Sequence, residues 1–217
     1  MMNRQIYNTG PRRYCFTLYS MMNLNYYFPS LWIDTVFEDS TINLPKGLKL
    51  KHLKYIGEGR QGKVYLIDNS HCIKIYKNLK YAKMELANLK RAEKKGGIFP
   101  KVYQWGKKYI IREYIEGIGL KKYLKSHHLT KSISRQLVDL IKNFKKIGYK
   151  RLDTGLTNVI ITPKGILRPI DPTSAMLFRQ SYPKHMLKQL KKKGLKKHFL
   201  EHVKKIDKKL YQEWKRK

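Results

Sequence analysis

The sequence predicts an α+β fold in two parts, a five-stranded sheet carrying one helix and a reduced, mainly helical second part. Three observations lead there. Short β-rich runs separated by turn residues crowd the stretch from Leu48 to Ile115. A single long amphipathic segment interrupts them after the third run, and from about residue 116 onward the apolar residues recur at helical spacing instead. The boundaries expected are 1–46 for an N-terminal extension, about 47–115 for the sheet part and about 116–217 for the helical part.

Taken in order, "LKLKHLKYIG", "KVYLID" and "HCIKIYK" form a three-stranded meander, with Asp68-Asn69-Ser70 as the turn between the last two. In "NLKYAKMELANLKRAEKKGG", Leu79, Ala82, Leu86, Leu89 and Ala92 recur on one helical face and Gly96-Gly97 supply the stop. "KVYQWG" and "KYIIREYI" complete the sheet. "KKYLKSHH" reads as helical, as does "SISRQLVDLIKNFKKIG", where Ile133, Leu137, Leu140, Ile141 and Phe144 share a face that Gly148 ends. The loop "YKRLDTGLTN" precedes a hairpin, "VIITPKGILRPID", turning at Pro163-Lys164-Gly165. Two Lys-rich helices finish the chain, the second with Phe199, Val203, Ile206, Leu210 and Trp214 as its buried stripe.

Composition bounds the function classes. The chain has 217 residues, 48 Lys+Arg against 15 Asp+Glu and a formal net charge of +33, far more than a fold needs. A polyanion, nucleic acid among the candidates, is one expected companion, and residues 184–217 concentrate the charge with fourteen Lys/Arg against three acidic residues, a solvated face of the C-terminal helix pair being the structural alternative there. Only Cys15 and Cys72 are present, with no zinc-type spacing, so a reducing cytoplasm is the expected compartment. The most apolar N-terminal run is broken by Asn23, Asn25, Pro29 and Asp34, which argues against a membrane span there.

The polar residues carry the chemistry. "GEGRQGKV" spaces Gly57, Gly59 and Gly62 as G-x-G-x-x-G and adds Val64, a pattern in which backbone can approach a bulky anion. Lys74 alternates with Ile73 and Ile75 along a strand, so it faces away from them and needs an anionic partner if that face is covered. Glu85 has Tyr81, Ala82, Asn88 and Leu89 three and four residues away on its helix, none of them cationic, so its partner must come from elsewhere. Asp153 and Asn158 sit five residues apart in a loop, and the hairpin after them brings Asn158 beside Asp171. Asp and Asn also favour caps and turns, which is the structural alternative at these positions.

These motifs, in this order from about Leu48 to Ala175, resemble the protein kinase-like superfamily. The glycine pattern, the lysine strand "CIKI", the helix "MELANLKRA", the linker "REYIEG", the loop "RLDTGLTN" and the segment "PIDPTSA" each match one family element. The resemblance implies a bilobal kinase-like fold and an ATP- and Mg²⁺-dependent enzyme. It gives Gly57, Gly59, Gly62, Val64, Lys74 and Glu85 to the nucleotide, with Glu113 and Ile115 in the linker that holds the adenine. Asp153 becomes the catalytic residue beside Lys74, and Asn158 and Asp171 the metal ligands.

The departures from the pattern are specific. Arg151 stands where H-R-D has histidine, no lysine follows Asp153 by two, and D-F-G is Asp171-Pro172-Thr173. With 46 residues after Asp171, the chain is more similar to compact, atypical branches such as RIO-type, lipopolysaccharide-sugar and aminoglycoside kinases, or small bacterial serine/threonine kinases. The expected activity is transfer of the ATP γ-phosphate to a hydroxyl acceptor, a protein Ser/Thr or a small molecule. The alternatives are a nucleotide-binding pseudokinase and an ATP-switched protein that binds RNA or the ribosome.

Overall fold

The computed structural model describes residues 44–217, all within the second of the chain's two compact units, Asp39–Lys217. The expected N-terminal extension lies outside the described residues except for its last three positions. Five antiparallel strands form the first sheet: β1 (Lys54–Gly59), β2 (Gly62–Leu66), β3 (His71–Tyr76), β4 (Val102–Trp105) and β5 (Tyr109–Glu113), in the order β1-β2-β3-β5-β4. A short 3₁₀ turn, Leu50–His52, occupies the start of the first expected run.

Period-two alternation settles what each face of the sheet does. Ile73 and Ile75 on β3 and Tyr109 and Ile111 on β5 are buried on one side, where Leu48, Leu50 and Leu53 pack against them. Cys72, Lys74 and Tyr76 project from the other side and meet Ile110 and Arg112, since Cys72 pairs with Arg112 and Lys74 with Ile110 in the β3–β5 ladder. Helix α1 (Leu79–Lys94) is started by Asn78, whose side chain accepts from the Tyr81 amide, and it buries Ala82, Glu85, Asn88, Leu89 and Ala92.

The remainder is helical around a small second sheet. A one-turn helix, α2 (Leu120–Tyr123), is all that forms of the expected "KKYLKSHH" helix. Helix α3 (Lys131–Ile147) is capped by Thr130 and closed by Gly148 at φ 82°, the left-handed position glycine tolerates best. The hairpin of β7 (Val159–Ile161) and β8 (Leu167–Pro169) gains a third strand, β6 (Ile118–Gly119), from a stretch to which the sequence assigns no strand. Gly117, at φ 145°, makes that pairing possible, because a Cβ there would strike the Ile161 carbonyl.

The last expected helix is in fact two. After α4 (Lys184–Lys192), α5 (Lys196–Ile206) ends at Asp207 and α6 (Lys208–Trp214) begins there. Asp207 is extended at φ −155°, its carboxylate accepts from the Leu210 amide, and Lys142 of α3 pairs with it at 2.8 Å. The apolar stripe runs unbroken through this point, and Phe199, Val203 and Trp214 are all buried, so side-chain periodicity alone conceals the break.

Candidate functional site

A charge cluster lies between the Lys74 face of the sheet, helix α1 and the segment after β8. Lys74 Nζ donates to Glu85 Oε2 at 2.5 Å and to Asp171 Oδ2 at 3.2 Å. Arg112 Nη1 donates to the other Glu85 oxygen at 2.5 Å and to the Ile170 carbonyl at 2.6 Å. Glu85 is fully buried, and Lys74 and Arg112 nearly so. The group holds two cations and two carboxylates, the balance that lets charges be buried at all. Burial alone would raise the Asp171 carboxyl, but the Lys74 ammonium and two hydrogen bonds from Thr173 outweigh it and hold the group below its ordinary value. Burial would likewise lower the Arg112 guanidinium, and Glu85 reverses this and raises it.

Thr173 ties the cluster together. Its hydroxyl lies 2.6 Å from Asp171 Oδ1, 2.7 Å from Glu85 Oε2 and 2.9 Å from Gln61 Oε1. One turn along α1 from Glu85, Asn88 donates to the Pro172 and Thr173 carbonyls at 2.8 and 3.1 Å, and the Tyr149 hydroxyl donates to the Asn88 carbonyl. The Asp171-Pro172-Thr173 segment is thereby fastened to α1 at two successive helical turns.

The glycines differ in what they need. Gly59 pairs with Gly62 across a two-residue turn made by Arg60 and Gln61, and none of Gly57, Gly59 and Gly62 has a positive φ. A Cβ at Gly57 or Gly59 would meet nothing within 4 Å, whereas one at Gly62 would collide with the Ile75 carbonyl of β3. Gly62 is thus demanded by packing within the sheet, and the open approach to backbone belongs to the other two. Val64 is half-buried on β2, opposite Lys74 in the ladder.

In the linker, Glu113 is engaged on all sides. Its amide donates to the Lys101 carbonyl, and its carboxylate accepts from the Lys101 amide at 3.2 Å and from Arg168 at 2.9 Å. Ile115 has no backbone hydrogen-bond partner among the described residues.

The hairpin sets Asn158 opposite Ile170, the residue before Asp171, the Ile170 amide donating to the Asn158 carbonyl at 3.0 Å. An amide and a carboxylate are hard oxygen donors of the kind Mg²⁺ takes, and two of them would hold the ion only with water and phosphate oxygens completing its shell. No cluster of three or more His, Cys, Asp or Glu suited to a metal is found among the described residues.

Asp153 stands elsewhere. Its carboxylate accepts from the His185 amide at 2.8 Å and the Met186 amide at 3.2 Å, with Arg151 at 3.4 Å. His185 and Met186 are the second and third residues of α4, whose own cap position is Pro183 and has no side-chain acceptor. Asp153 supplies from across the fold the oxygens that a local Asp or Ser usually gives to those amides. Of its two readings, this geometry corresponds to the cap.

Arg112, Asn88, Thr173 and Gln61 were not singled out by the sequence reading. A charged residue inside the apolar run "YIIREYI" was the available signal for Arg112, since a charge at a covered strand position implies a buried partner.

No known protein family matches the sequence, and no curated protein is similar to it. Among solved structures, the co-crystal structure of WbdD with the kinase inhibitor LY294002 aligns at 18% sequence identity with a TM-score of 0.45, over 54% of this chain. The aligned part amounts to 31% of that chain. No helix among the described residues is long and apolar enough to cross a membrane.

Proposed function

We propose that this chain is a bilobal, kinase-like phosphotransferase that binds Mg-ATP and passes the γ-phosphate to a hydroxyl group, a protein Ser/Thr being the acceptor class. The observation that carries this reading is Lys74, held between helical Glu85 at 2.5 Å and Asp171 at 3.2 Å. Phosphoryl transfer asks the protein mainly for positioning and charge neutralisation, and this arrangement supplies a fixed cation beside a carboxylate of lowered pKa. On this reading Lys74 moves from Asp171 to the phosphates while Asp171 and Asn158 take the metal. Gly57, Gly59 and Val64 cover the nucleotide, and the backbone of Ile115, without a partner among the described residues, receives the adenine.

The test is a thermal-shift titration with Mg-ATP followed by a labelled γ-phosphate transfer assay that includes autophosphorylation. Ligand at about 100 times its Kd should add about 2.7 kcal/mol of apparent stability. No shift at millimolar Mg-ATP in the wild type removes the proposal.

A second reading, a nucleotide-switched binding protein without transfer, draws on the Asp153 cap, since that carboxylate is already engaged by the His185 and Met186 amides. Its partner would be a polyanion such as RNA. A groove of about 510 Å³ between α4, α5 and α6 is lined by Lys191, Lys196, Lys197 and Lys215 with Glu201 as its one acidic residue. RNA affinity measured against salt decides this, because counterion release gives a steep logarithmic slope. A flat or absent response excludes the partner.

A further inference from the structure

Gln61 sits where the proposed phosphates would have to go. It is the second residue of the two-residue β1–β2 turn, and its main chain is pinned there, because the Lys77 amide donates to its carbonyl at 2.8 Å. Its side chain reaches 112 positions along the chain to Thr173, with Oε1 2.9 Å from the Thr173 hydroxyl. The same oxygen lies 3.5 Å from Lys74 Nζ. A neutral amide oxygen thus faces the ammonium that an anion would seek, and the turn is closed down onto the Asp171-Pro172-Thr173 segment.

The contact is built to give way. The Thr173 hydroxyl has one proton and three oxygens within reach, and Gln61 is the most distant of the three, behind Asp171 and Glu85. Losing Gln61 leaves the hydroxyl paired with a carboxylate, so no buried donor is orphaned. Because the backbone of the turn is held separately by Lys77, release requires only rotation of one half-buried side chain.

We propose that Gln61 is an intramolecular latch that fills the phosphate seat beside Lys74 until a nucleotide displaces it; the inference rests on the nucleotide reading given above. The sign of its effect is opposite to that of a residue that grips phosphate. Truncating a gripping residue weakens binding, whereas truncating a latch removes a competitor and strengthens it.

The experiment compares the full-length wild type, Gln61→Ala and Gln61→Glu by isothermal titration with Mg-ATP and with adenosine. Gln61→Ala loses the contact to Lys74 and at most a share of the single Thr173 proton, so Mg-ATP should bind about two- to tenfold more tightly. Adenosine, which carries no phosphate, should gain nothing. Gln61→Glu sets a carboxylate against Lys74 and should weaken Mg-ATP about tenfold or more. If the wild type binds and Gln61→Ala is equal or weaker, or if adenosine gains as much as Mg-ATP, the latch is wrong while the nucleotide reading stands. If neither protein binds Mg-ATP, both fall.

Discussion

Removing the Glu85 carboxylate should be the most costly single change in the described fold. Glu85 is fully buried and receives Lys74 and Arg112, both at 2.5 Å, together with the Thr173 hydroxyl at 2.7 Å. In Glu85→Ala the two cations stay buried, and Asp171, whose side chain is 24% exposed, remains as the one carboxylate near them. Breaking a buried ion pair by deleting one partner typically costs about 3–5 kcal/mol, against a whole-domain stability of about 5–15 kcal/mol. A side-chain cavity adds to that in the same direction. The midpoint of urea unfolding should fall by about a fifth of its value or more. The origin of the loss can be isolated with Arg112→Met, which restores the formal balance of one cation against one carboxylate. The double variant should then be less destabilised than the sum of the singles by about 2 kcal/mol, within the range seen for residues in direct contact. A cost below about 1 kcal/mol for Glu85→Ala, or strict additivity in the cycle, would refute the claim that charge balance organises this cluster.

Gly62→Ala should destabilise by about 1–3 kcal/mol through the forced shift of the Ile75 backbone, while Gly57→Ala, facing open space, should leave the unfolding midpoint within about 0.5 kcal/mol. Asp153→Asn keeps one cap-competent oxygen but sets an NH₂ donor against the other amide, so it should lose about 1–3 kcal/mol, and if Asp153 also takes the acceptor proton, γ-phosphate transfer falls by roughly 10²- to 10⁴-fold with Mg-ATP binding retained; equal transfer rates in the two proteins leave it the cap alone. For Asp171 the folded pKa lies below the unfolded value of about 3.9, so its contribution is present above that pH and disappears as pH falls through the folded value. Melting temperature should therefore decline below about pH 4, and Asp171→Asn should lack that increment. Parallel acid profiles for the two proteins would contradict the assignment.

The Lys74–Glu85 pair was legible because each half raised the same question. Alternation put Lys74 opposite two isoleucines, and the helix around Glu85 offered it no cation, so each required a distant partner. The strands were legible for the related reason that period two is a property of neighbours. What stayed hidden depended on contacts between segments far apart in the chain. Arg112 is one residue of an ordinary-looking strand until Glu85 is placed beside it. Asp153 serves a helix that begins 31 residues later, and Pro183, the local reason that helix needs it, carries no sign of which side chain will answer. The split at Asp207 was hidden by the opposite circumstance, since its apolar stripe remains in phase across the break.

Asp153 and Asp171 show how one side-chain type acquires two offices from its surroundings. The Asp153 charge is met by Arg151 at 3.4 Å and by two backbone amides at a helix N-terminus, and those amides are part of the helix and do not move away from the carboxylate. The Asp171 charge is met by a side-chain ammonium at 3.2 Å that has a second carboxylate to fall back on at 2.5 Å. Lys74 can therefore release Asp171 without becoming an unpaired buried charge, and it is Glu85, itself held by Arg112, that makes this release affordable. On the nucleotide reading, a metal ion taking Asp171 frees the ammonium for phosphate, and phosphate drawing off the ammonium bares Asp171 for the metal. The two ligands then strengthen each other by the same factor, as linkage demands. On this reading Glu85 is what permits the coupling, since without it Lys74 and Arg112 would face Asp171 alone, and a metal that took Asp171 would leave both cations without a carboxylate.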